Sequence, residues 1–104
     1  QLYEYDEYKL QIRRLDFGKK RGIYEFSTYD PETKDTPPSW GLHPYAEVGV
    51  VLEGKMEVNL DGTVYLLGPG DSIYIKPNLY HTMRNAGDTP CRSFWHLQIM
   101  DNSV

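Results

Sequence analysis

Cysteine, long apolar runs and excess positive charge are all scarce in this chain. Among its 104 residues, Cys91 is the only cysteine, so no disulfide can form within the chain. A buried structural thiol and a reducing, cytoplasmic compartment are the expectations. No apolar run approaches the ~18 residues needed to cross a bilayer, and no secretory leader is visible. The formal net charge is -4, which argues against a nucleic-acid-binding surface. The one basic cluster, Lys19, Lys20 and Arg21 with Arg13 and Arg14 upstream, reads as a solvated turn and strand face. There is no nucleophile elbow, phosphate loop or dinucleotide fingerprint. A starting methionine is also missing, so the chain reads as a processed or excised piece of a longer product.

No segment carries a helical period, and the pattern is β almost throughout. Residues 9–17 and 23–29 are predicted as N-terminal strands around a turn at 18–22, followed by a Pro-rich loop at 30–42. Ala46 to Glu53 is a continuous apolar run, as expected of a strand covered on both sides. Met56, Val58 and Leu60 then alternate with polar residues, which is the period of a half-buried strand. Asp61-Gly62 supplies a two-residue hairpin turn, and Thr63 to Leu67 returns. Residues 72–75, 81–85 and 91–100 complete the set. Many short strands with Gly/Pro turns predict an all-β sandwich or barrel in a single domain, 1–104.

Chemistry-bearing residues are concentrated in two stretches, HPYAEVGVVLEG from His43 and GPGDSIYIKPNLYHTMRN from Gly68. Alternation along a strand puts His43, Tyr45, Glu47, Gly49 and Val51 on one face, and His81, Met83 and Asn85 on another. Two imidazoles and one carboxylate are a minimal donor set for a divalent transition metal such as Fe, Mn, Ni or Zn. The same three residues can equally pair and hydrogen-bond with one another, and spacing leaves both readings open. Gly49 is expected to leave room in the lumen. Trp40, Met83, Trp95 and His96 are candidate pocket walls, with core or dimer packing as the alternative for the tryptophans and a ligand or surface position as the alternatives for His96.

These two stretches and the hairpin between them resemble the cupin family. Glu47 and Gly54 fit its first motif; His43 falls on the second of that motif's two histidines, and Gly41 falls where the first would be. Gly68-Pro69-Gly70-Asp71, Pro77, His81 and Asn85 fit the second motif, with Asn78 in place of the usual glycine. The resemblance implies a double-stranded β-helix, the cupin jelly-roll barrel, with its core at 40–99 after N-terminal strands in 1–29. It also implies a metal held by His43, Glu47 and His81, with one imidazole fewer than the usual set. Glu47 and Tyr45 are then the candidate catalytic groups, Glu47 as a base or ligand and Tyr45 as a phenol near the site. Asn85 is expected to be structural, bonding backbone at a strand end.

Two functions follow from the resemblance. One is a small metal-dependent enzyme of oxygenase, isomerase or lyase type, acting on a small organic or sugar-like substrate. The other is the non-catalytic ligand-sensing half of an AraC-type regulator. Val48, Val50 and Leu52 make the second face of their strand apolar, so either another sheet or another subunit has to cover it, and a homodimer is expected.

Overall fold

The computed structural model describes residues 2–7, 10–16, 22–32 and 40–98. Among them every regular element is a strand: β1 (Leu2–Glu7), β2 (Leu10–Asp16), β3 (Gly22–Tyr29), β4 (Trp40–Gly41), β5 (Ala46–Glu53), β6 (Met56–Leu60), β7 (Thr63–Leu67), β8 (Ser72–Ile75), β9 (His81–Asn85) and β10 (Cys91–Gln98). Two antiparallel sheets form, ordered β1-β2-β3-β10-β5-β8 and β4-β9-β6-β7. The all-β jelly-roll expectation is met. The turn at 18–21 and most of the Pro-rich loop, 33–39, lie outside the described residues.

Inward-facing residues of both sheets build one core. Val51 on β5, Ile75 on β8, and Cys91, Trp95 and Leu97 on β10 meet Met56 and Val58 of β6. Alternation explains the selection: on β10, positions 91, 93, 95 and 97 are buried while the residues between them are more exposed. Cys91 is a free thiol within this core, and burial pushes its pKa up. The expectation of cover on both faces of β5 holds on one side only. Glu47, Gly49 and Val51 are buried, whereas Val48 and Leu52 remain 38% and 47% exposed.

Turn chemistry fixes the register. Asp61 and Gly62 both have positive φ, 48° and 100°, the backbone that the two-residue hairpin between β6 and β7 requires. Gly62 N–H also donates a hydrogen bond to Asn59 Oδ1 at 2.8 Å. At the far end of β9, Asn85 is buried and ties three segments together. Its Nδ2 donates to Tyr29 O at 2.9 Å and to Thr89 O at 2.7 Å, and its Oδ1 accepts from Gly87 N at 2.8 Å.

Gly49 does not leave free room in the lumen. A Cβ there would lie 2.4 Å from two ring carbons of Trp95, whose indole covers the glycine. The indole is further held by its Nε1–H donating to Ser93 Oγ at 2.8 Å. Gly49→Ala therefore forces the buried ring to move. We expect a loss of about 1–3 kcal/mol, read as a lower urea midpoint at unchanged slope.

Candidate metal centre

His43, Glu47 and His81 arrive from three places in the fold. His43 sits in the connection between β4 and β5, Glu47 is the second residue of β5, and His81 opens β9. Each offers one ligand atom, and the three atoms lie within 4.8 Å of one another. The two sheets thus contribute to one point: Glu47 is flanked across the larger sheet by Ile75 and Leu97, and His81 across the smaller by Leu60 and Gly41. Glu47 and His81 are buried, and His43 is half-buried.

Local contacts fix both rings. Asn78 adopts a left-handed backbone, φ 59°, and its N–H donates to His43 O at 2.7 Å. Asparagine tolerates this conformation better than most side chains, which accounts for its standing in for the motif's glycine. The His43 ring stacks on Tyr45 with centroids 5.0 Å apart and planes 7° from parallel. The two imidazoles are 5.4 Å apart at 58°. His81 Nδ1 is 2.7 Å from Leu79 O, so the neutral ring carries its proton on Nδ1 and turns the Nε2 lone pair toward the site.

That tautomer creates a deficit at the neighbouring carboxylate. Glu47 Oε2 is 3.3 Å from His81 Nε2, yet this buried oxygen has no hydrogen-bond partner. Proximity gives attraction, but no N–H is directed at the oxygen while Nε2 is unprotonated. Two species can relieve the deficit: a proton on Nε2, or a cation between the donors. The first raises the pKa of His81. Glu47 as hydrogen-bond acceptor is the largest cause; burial opposes it; the Leu79 carbonyl and the Glu47 charge add to the rise. The second is what two nitrogen lone pairs and a carboxylate favour chemically, so the donor set fits a divalent metal.

Gly41 is the fourth participant. A Cβ on it would lie 3.1 Å from Nε2 of both His43 and His81. The two nitrogens therefore close over bare backbone at the place where the first motif carries its other histidine.

The remaining expected site residues scatter. Tyr45 adjoins the trio through His43, and Met83 packs half-buried against the core. Trp95 is buried at 3% exposure over Gly49 and belongs to the core. His96 faces outward: Leu97 is the residue opposite Glu47, and His96 stacks on Tyr24 with centroids 4.6 Å apart on the other side of the sheet. It is therefore no pocket wall. Trp40 is 42% exposed and stacked on Tyr80, centroids 4.6 Å apart and planes 5° from parallel, rather than lining the trio. Sequence reasoning missed the Leu79 carbonyl and the role of the Asn78 N–H. The only available signal was the Asn at a glycine position.

Comparison with known proteins agrees with this geometry. The sequence profile described as Cupin domain matches residues 25–97, and the chain belongs to the cupin superfamily. It is 41% identical over 56 residues to Polyketide synthase CurC of Streptomyces cyaneus, a match covering 53% of this chain and 36% of that protein. The chain spans less than half the length of the curated relatives it matches first. Many solved structures share the fold, two of them as follows. The cupin domain of an XRE family transcriptional regulator from Enterobacter cloacae has a TM-score of 0.77 at 16% identity, covering 89% of this chain and 99% of that one. Iron(II) HppE has a TM-score of 0.75 at 17% identity, covering 85% and 49%. At such identities the likeness concerns the fold alone.

The His81–Glu47 pair gives the metal-free protein a pH dependence. His81 is raised in the folded state above its ordinary 6.5. Its contribution to stability is therefore complete below that ordinary value and is lost as pH rises through the folded pKa. Glu47→Gln removes the charge and replaces one of the two acceptor oxygens by an NH2 donor. The His81 titration midpoint, followed by NMR in metal-free protein, should fall in this variant, and the loss of stability on raising pH should shrink with it.

Proposed function

We propose that this chain is a small metal-binding cupin enzyme. It holds a divalent transition metal, Fe, Mn, Ni or Zn, through His43, Glu47 and His81 and acts on a small organic or sugar-like molecule. One observation carries the reading: the buried Glu47 Oε2 has no donor, and two imidazoles adjoin it. A buried carboxylate without compensation is costly, and a cation supplies that compensation. When bound, the ion would supply Lewis-acid polarisation of a substrate carbonyl or hydroxyl, or redox capacity, as oxygenase, isomerase and lyase chemistry require.

The chain's own groups do the positioning. Leu79 O fixes the His81 tautomer, Asn78 N–H anchors the His43 backbone, and Tyr45 holds the His43 ring in plane. Ile75, Leu97 and Leu60 flank the donors across the strands. The alternative role for Glu47 is that of a base off the ion, where its Oε2, which takes no hydrogen bond, would accept a proton instead of holding the metal. Tyr45 places a phenol beside the same ring. The ligand-sensing reading draws on the regulator's cupin domain of like fold and on the absence of a fourth protein donor at Gly41. A buried cysteine fits a reducing, cytoplasmic setting.

A homodimer is part of this reading. The outer face of the larger sheet is apolar and open, with Phe26, Val48, Leu52 and Tyr74 all exposed. Register places Tyr24, His96, Val48 and Tyr74 in one row across four strands, with Phe26, Phe94 and Val50 in the next. A second copy is the proposed cover. Val48→Glu should convert the gel-filtration mass from two chains to one, and a wild-type mass of one chain would remove the dimer.

Elemental analysis after dialysis against each metal tests the centre. The wild type should retain one equivalent, and His43→Ala, His81→Ala and Glu47→Gln should not. Metal at about 100 times its Kd should stabilise the wild type by about 2.7 kcal/mol and leave the variants unmoved. Retention by all three variants would end the metal reading, and a metal-free wild type that binds sugars would favour the sensor.

A further inference from the structure

We propose that Gly41 determines the ligand class of this centre. By withholding a fourth protein donor on the β4 side, it reserves that position for a small molecule presenting a single anionic oxygen, such as a carboxylate or enolate. This inference rests on the metal reading above and extends it to what the site accepts.

The first step is geometric. β4 is only two residues long, and its Gly41 is paired directly with His81. Both Nε2 atoms stand 3.1 Å from where a Cβ would be, so any side chain at 41 would either crowd the imidazoles or become a ligand itself. Glycine does neither. Because residues alternate sides, neighbouring Trp40 and Leu42 cannot substitute for it, and both are exposed. No further His, Cys, Asp or Glu joins the cluster among the described residues.

The second step is charge. Two neutral imidazoles and one carboxylate leave a divalent cation with one uncompensated positive charge. Glu47 and His81 are buried, and an uncompensated charge is expensive in such surroundings. A histidine at 41 would add a donor and leave that charge in place. An incoming monoanion fills the position and cancels the charge together. A neutral ligand of the same shape does only the first.

Cobalt(II) replaces the native ion for the test, since its visible absorption reports on its donors. Acetate and acetamide are isosteric probes that differ in charge. In the wild-type protein, acetate should perturb the cobalt spectrum at concentrations at least about tenfold lower than acetamide, a difference of about 1.4 kcal/mol. Gly41→Asp supplies an internal anion and Gly41→His an internal donor. Both should retain cobalt, and both should weaken the acetate response by at least about tenfold. Equal binding of acetate and acetamide to the wild type overturns the charge argument, whether or not either variant folds. Variants that answer acetate as the wild type does overturn the assignment to Gly41. Failure of the underlying metal reading looks different: the wild type then retains no cobalt before any probe is added, and the inference falls with it.

Discussion

Glu47 Oε2 is an acceptor that the protein itself does not satisfy. The oxygen is buried 3.3 Å from His81 Nε2, on a residue paired with Ile75 and Leu97 of the neighbouring strands, and the hydrogen bond of His81 to Leu79 turns away the one proton that would meet it. The neutral site is therefore electrostatically incomplete. It can be completed by a proton, which raises His81, or by a cation, which replaces that proton. Proton and metal compete for the same lone pair. The features nearby bear on this competition: the Leu79 carbonyl selects the tautomer, Tyr45 and Asn78 hold His43 in reach, and Gly41 keeps the two nitrogens close over bare backbone.

Much of the motif chemistry is framework rather than site. Asp71 Oδ2 accepts from Gly68 N at 2.8 Å and closes the turn before β8. Asn85 joins β3, β9 and the 86–90 connection through three hydrogen bonds. Gly49 lets β5 approach the Trp95 indole. These contacts fix the sheet-to-sheet geometry, and the donors converge only if that geometry is held. Glu47 belongs to one sheet and His81 to the other, so a small shift between the sheets alters their separation.

Strands with a clear period of two were legible from sequence. β5 to β8 appear at the expected residues, because alternation and glycine turns are local signals. The trio was legible too, since its members lie on strand faces whose direction alternation dictates. Short and irregular pieces were not. β4 has two residues, too few for any period, and β1 reads Leu-Tyr-Glu-Tyr-Asp-Glu with no apolar stripe. Directions that depend on tertiary pairing were also hidden. His96 faces outward because Leu97 is the residue paired with Glu47, a register that spacing does not reveal. Gly49 looked like empty space because nothing local says that Trp95, 46 residues later, covers it.

Stability alone gives no reason for the trio to exist. Replacing a buried ion pair by well-packed apolar residues is often neutral or stabilising, by 1–4 kcal/mol in general experience, roughly a tenth or more of a small domain's total. The core already runs continuously from Val51 and Met56 to Leu97, and apolar side chains at 47 and 81 would extend it toward Ile75 and Leu60. The fold instead keeps a carboxylate and an imidazole buried there, leaves one oxygen without a donor, and places a second imidazole against them over a glycine. A buried carboxylate oxygen without a donor is an arrangement that apolar packing does not call for and that a proton or a cation would complete.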